Sequence, residues 1–114
     1  MVAGEASGDM HCARLASKLK ELCPSISMFG MGGKLMSQAN VHIDYDISDL
    51  SVMGITEVLG KLPLLLNRLS GLKTLIEQRK PDAIVLVNIA FMGSIAKETT
   101  LNLSITDYNK GLIF

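Results

Sequence analysis

Val2-Ala3-Gly4-Glu5-Ala6-Ser7-Gly8-Asp9 opens the chain, and the architecture turns on it. Met1 to Ala3 read as the last residues of a strand. Gly4 to Asp9 read as a tight turn, because two glycines permit backbone angles closed to other residues. A helix follows, entered near Ser7 or Asp9, whose side chains suit capping of exposed backbone N–H groups. Its apolar positions Cys12, Leu15, Ala16, Leu19 and Leu22 recur every three or four residues, which is one helical face. Pro24 stops it.

Outward from this unit the pattern repeats. Ile26 to Gly30 read as a short strand running into a flexible loop, Gly30-Met31-Gly32-Gly33. Lys34 to Ala39 read as a short helix. Val41, Ile43 and Tyr45 alternate with His42 and Asp44, the strand period of two. Ile55, Val58, Leu59 and Leu62 form a helical stripe that Leu65, Leu66, Leu69, Leu72, Leu75 and Ile76 continue. Pro63 suits a first turn, which predicts a short helix from Gly54 to Lys61 and a long one from Pro63 to Arg79. Lys80-Pro81-Asp82 is a turn, and Ala83 to Val87 is the uninterrupted apolar run of a central parallel strand. Strands alternating with helices predict an α/β fold, a Rossmann-like parallel sheet with helices on both sides. Residues 1–87 are expected to form a partial domain. Residues 88–114 are expected to be a divergent, poorly ordered tail, with a frayed helix and an edge strand somewhere within it. A first strand as short as this one is expected to leave an unpaired edge.

Composition narrows the function. The 114 residues carry eleven basic and eleven acidic side chains, so no basic footprint for nucleic acid exists. Apolar residues make up 48% of the chain, which argues against disorder. Five aromatic residues and no Trp leave the core to aliphatic side chains and the seven methionines. Cys12 and Cys23 have no metal-site spacing and read as small buried apolar groups of a reduced protein. His11 and His42 read as surface residues, and no metal site is expected. No run reaches the roughly 18 apolar residues that span a bilayer, and the opening residues lack the basic and apolar regions of a secretion signal.

In doubly wound sheets, ligands bind where strand-to-helix loops meet beyond the strand C-termini. Gly4 to Asp9 is such a loop, and the helix after it offers N–H groups to an anion or a sugar phosphate. The loop is neither a Walker loop nor the dinucleotide fingerprint. On spacing alone, a glycine turn that only reverses the chain is the favoured reading. Glu5 and Asp9 tilt the reading toward a hydroxyl-rich ligand. Leu62, Leu64 and Leu65 place apolar residues on more than one side of their helix, which suits either burial or contact with lipid.

Four segments together resemble the lipid-A-disaccharide synthase family: Val2 to Asp9; Gly30-Met31-Gly32-Gly33 with Met36; Leu50 to Leu59; and Lys80-Pro81-Asp82. The resemblance implies the N-terminal, acceptor-side half of a GT-B glycosyltransferase. It implies transfer of 2,3-diacylglucosamine from its UDP form to 2,3-diacylglucosamine 1-phosphate in lipid A biosynthesis, with inversion and without metal or cofactor. It places substrate contacts at Glu5, Ser7, Gly8 and Asp9, and at Met53, Gly54 and Glu57. It also implies a cytoplasmic protein peripheral to the inner membrane of a Gram-negative bacterium, with Leu62, Leu64 and Leu65 near acyl chains. Asn88 stands where the family carries a candidate catalytic Asp, and an amide is no base. The resemblance is expected to end after Val87, as a frameshift or a truncated gene copy would produce. A catalytically inactive remnant or a lipid-binding module is the alternative to an active synthase.

Overall fold

The computed structural model of the chain describes residues 1–48, 62–87 and 112–113. In chain order the elements are β1 (Val2–Ala3), α1 (Ala6–Leu22), β2 (Phe29–Gly32), α2 (Lys34–Gln38), β3 (His42–Asp46), α3 (Leu62–Arg79), β4 (Ile84–Val87) and β5 (Leu112–Ile113). The strands form one sheet in the order β3-β2-β1-β4-β5. Every pairing is parallel, with Val2 opposite Met31 on one side and Leu86 on the other. This is the order of a Rossmann-like sheet. The predicted edge strand is present as β5, paired to β4.

Three local readings are corrected. The Gly30-Met31-Gly32 stretch is not a loop but the body of β2, and all three residues are buried. Glycine lets this strand pass close to its neighbour: Gly30 has φ +150°, and a Cβ there would lie 1.9 Å from the Met1 carbonyl oxygen. Composition reads glycines as a loop when nothing local reveals the crowding beside them. Helix α1 starts at Ala6, ahead of both expected caps. Its face is also shorter than the periodicity suggests. Cys12 and Ala16 are fully buried, but Leu22 at the last turn is 83% exposed.

The short first strand leaves no unpaired outer edge, because β1 is central and flanked on both sides. Around it the core gathers Val2, Ala3, Cys12, Ala16, Met31, Met36, Val41, Ile47, Leu69 and Leu72. Met28, Met31 and Met36 are buried in it, where their flexible side chains adapt to irregular space. Beside the core, Arg79 at the end of α3 forks onto Asp44 of β3 at 2.9 and 3.2 Å and lies 4.5 Å above the Phe29 ring. That cluster ties α3 to β2 and β3.

The two cysteines part company. Cys12 is buried, and burial pushes its thiol up from the ordinary value. Cys23 is exposed, against the expectation of two buried thiols, because it follows the end of α1. Iodoacetamide at pH 7.5 is therefore expected to label Cys23 first. Cys12 should react only as the chain unfolds in urea. Equal labelling rates under native conditions would contradict this placement.

Candidate functional site at the C-terminal rim

With all strands parallel, their C-terminal ends share one rim. Chain order runs from β1 to β2 and β3 on one side, then returns to β4 on the other. The reversal falls between β1 and β4, and ligands of open α/β sheets settle in the crevice at that point. The first turn of α1 covers it. A Cβ on the buried Gly8 would lie 3.1 Å from the Val87 carbonyl oxygen and 3.3 Å from the Ala3 Cβ. Gly8→Val would overfill this contact, at an expected cost of about 2 kcal/mol. A melting temperature equal to that of the parent chain would show that the helix start is not packed this way.

Glu5 sits at the N-cap position with extended backbone, and its side chain makes no cap bond to the helix. Its Oε1 instead accepts the Ser7 hydroxyl at 2.7 Å, and both residues are exposed on the rim. The pair presents a carboxylate and a hydroxyl side by side at the mouth of the crevice.

Asp9 behaves differently from the rest of its motif. It lies one turn into α1, is 5% exposed, and points sideways across the rim. Its Oδ1 accepts the N–H groups of Gly33 at 2.8 Å and Met36 at 3.1 Å, and its Oδ2 accepts that of Leu35 at 3.0 Å. The carboxylate thus caps α2, whose own N-cap Gly33 has no side chain to do so. The structure gives Asp9 the work of joining the first glycine motif to the second, and leaves the exposed rim to Glu5 and Ser7. A signal for this was present in the spacing. Asp9 falls on the same helical stripe as Cys12 and Ala16, and a lone acid on a buried face needs a partner.

The remaining candidates divide. Met53, Gly54, Glu57 and Asn88 lie outside the described residues, as does the short helix expected from Gly54 to Lys61. The side chains of Leu62 and Leu65 also lie outside them, while Leu64 is 38% exposed at the start of α3. Among the described residues, no group of three or more His, Cys, Asp or Glu could hold a metal ion.

Comparison with known proteins gives the family. The family model described as Lipid-A-disaccharide synthetase matches residues 1–106. It runs past Val87, where the sequence reading expected the resemblance to stop. A lipid-A-disaccharide synthase of Myxococcus xanthus is 46% identical over 89 residues, 78% of this chain and 23% of that protein. One from Syntrophotalea carbinolica is 41% identical over 91 residues, 79% of this chain and 23% of that protein. Lipid-A-disaccharide synthase 1 of Legionella pneumophila (strain Philadelphia 1) is 36% identical over 106 residues, 92% of this chain and 28% of that protein. The chain spans about a quarter of the length of these curated relatives. No solved structure matches it. With the glycine-bearing strand-to-helix unit, the parallel sheet and a match along most of its length, the chain belongs to the lipid-A-disaccharide synthetase family.

Proposed function

We propose that this chain forms acceptor-side architecture of a GT-B lipid-A-disaccharide synthase, with the Glu5 and Ser7 rim as a sugar-contacting surface. The reaction served is transfer of 2,3-diacylglucosamine from its UDP form to 2,3-diacylglucosamine 1-phosphate, with inversion and without a metal. The observation that carries this reading is the exposed Glu5–Ser7 pair at the crevice between β1 and β4. A carboxylate beside a hydroxyl suits sugar hydroxyl groups, which both donate and accept hydrogen bonds. Gly8 contributes by allowing the helix start to approach Val87, and Asp9 by holding the neighbouring loop. Met53, Gly54 and Glu57 complete the surface in this proposal.

The chain binds without transferring. Proton removal from an attacking hydroxyl needs a base, and Asn88 occupies the position at which the family resemblance expects Asp. Leu64, exposed at the start of α3, and its neighbours Leu62 and Leu65 meet acyl chains in this proposal, with the protein peripheral at the cytoplasmic face of the inner membrane. Among the described residues no helix is long and apolar enough to cross a membrane.

Two measurements test this reading. Titrating 2,3-diacylglucosamine 1-phosphate in detergent micelles should shift the backbone resonances of Glu5 and Ser7. Glu5→Ala should weaken binding by roughly tenfold, the worth of one hydrogen bond to a charged group. No shift at the rim would overturn the assignment of the surface. With both substrates radiolabelled, the purified chain should form no disaccharide, and clear turnover would overturn the binding-only role.

A further inference from the structure

The chemistry of the Glu5–Ser7 pair is decided by its protons. A carboxylate has no hydrogen to donate, and a serine hydroxyl has one. That hydrogen is directed at Glu5 Oε1, 2.7 Å from Ser7 Oγ. The two side chains therefore present oxygen lone pairs to the rim and no remaining hydrogen. The second carboxylate oxygen of Glu5 adds further accepting capacity. The pair accepts and does not donate.

The backbone beneath the pair is held from the core. The Glu5 carbonyl accepts the Asp9 N–H at 3.0 Å. Asp9 is buried, and its carboxylate is fixed by the N–H groups of Gly33, Leu35 and Met36. Ser7 belongs to the first turn of α1, while its side chain and that of Glu5 stand exposed. Both acceptors thus ride on backbone that cannot easily turn away. A phosphate or an ester offers this surface only further acceptors, and the carboxylates of Glu5 and Asp9 repel an anion. A hydroxyl offers a donor.

We propose that the Glu5–Ser7 pair reads the free-hydroxyl edge of the acylated sugar and turns its phosphate away. This rests on the sugar-contacting surface proposed above and assigns the orientation of the ligand on it. In 2,3-diacylglucosamine 1-phosphate, positions 1, 2 and 3 are substituted, so the hydroxyls left on the ring are those at 4 and 6. Both donate into the pair. Position 1 lies across the ring from position 4, so the phosphate then points away from Glu5.

The test uses the purified 114-residue chain in detergent micelles, with backbone shifts at Glu5 and Ser7 as the readout. Four ligands are titrated: the acceptor sugar, its 4,6-di-O-methyl ether, its 6-amino-6-deoxy analogue, and the sugar without its phosphate. The ether keeps its oxygens as acceptors and loses both donors, so it should bind about tenfold more weakly than the parent. The ammonium of the amino analogue only donates, and this ligand should bind at least as tightly as the parent. Removal of the phosphate should leave the rim shifts in place. Glu5→Gln puts an NH2 donor into the pair and should bring ether and parent within about threefold of each other. An ether that shifts the rim with the parent's affinity would overturn this inference while leaving the sugar surface standing. Loss of the rim shifts without the phosphate would do the same, because the rim would then hold the anion. No rim shift with any ligand would overturn the sugar surface itself, and the orientation with it.

Discussion

Asp9→Ala should destabilise the fold by about 4 kcal/mol, the largest effect expected from a single side chain here. The substitution removes the acceptor for three N–H groups at once, those of Gly33, Leu35 and Met36. Gly33 and Met36 are buried, so water cannot take the place of the lost carboxylate. A buried donor left without a partner costs roughly 1–3 kcal/mol. Against a total stability of about 5–15 kcal/mol for a domain of this size, the variant sits close to unfolding. Asp9→Asn separates the bonds from the charge. The amide keeps one oxygen for two of the donors and sets an NH2 against the third, for an expected cost of about 2 kcal/mol. Urea denaturation monitored by far-ultraviolet circular dichroism reads both values. Asp9→Ala with the parent's midpoint would mean that the cap on α2 does not hold the two motifs together. Asp9→Asn costing as much as Asp9→Ala would place the effect in the charge on the helix end instead.

Gly30→Ala should cost about 3 kcal/mol, from two sources that act together. Its φ of +150° is one that a residue with a side chain rarely adopts, and the new Cβ would lie 1.9 Å from the Met1 carbonyl oxygen. That oxygen is backbone and accepts the Met31 N–H, so relief requires β1 and β2 to move apart. The loss should appear as a lower urea midpoint and as faster amide exchange at Met31. A variant that melts with the parent and keeps Met31 protected would show that β1 does not press against β2.

The elements themselves were legible because their signals are local. The stripe of Leu69, Leu72 and Ile76 marks α3, and the alternation from Val41 to Tyr45 marks β3, whatever surrounds them. Pro24 and Lys80-Pro81-Asp82 mark boundaries for equally local reasons, a missing N–H and a fixed φ. The misreadings have one cause. Gly30 to Gly32 read as a loop since nothing nearby in the chain discloses that Met1 crowds one side of them. Asp9 reads as a cap for its own helix, since its three partners lie in another motif.

The same division separates the site from the fold. Residue pattern alone established an α/β chain of this family and a glycine-bearing loop after the first strand. Those features depend on periodicity and on neighbours within a few positions. Which residues of that loop face outward was settled by three-dimensional packing. Glu5 and Ser7 stand at the rim while Asp9 turns inward, because a buried carboxylate must satisfy itself with backbone donors brought from far along the chain. Packing likewise made β1 the central strand. Sheet order rests on contacts between distant segments, and no count along the chain records them.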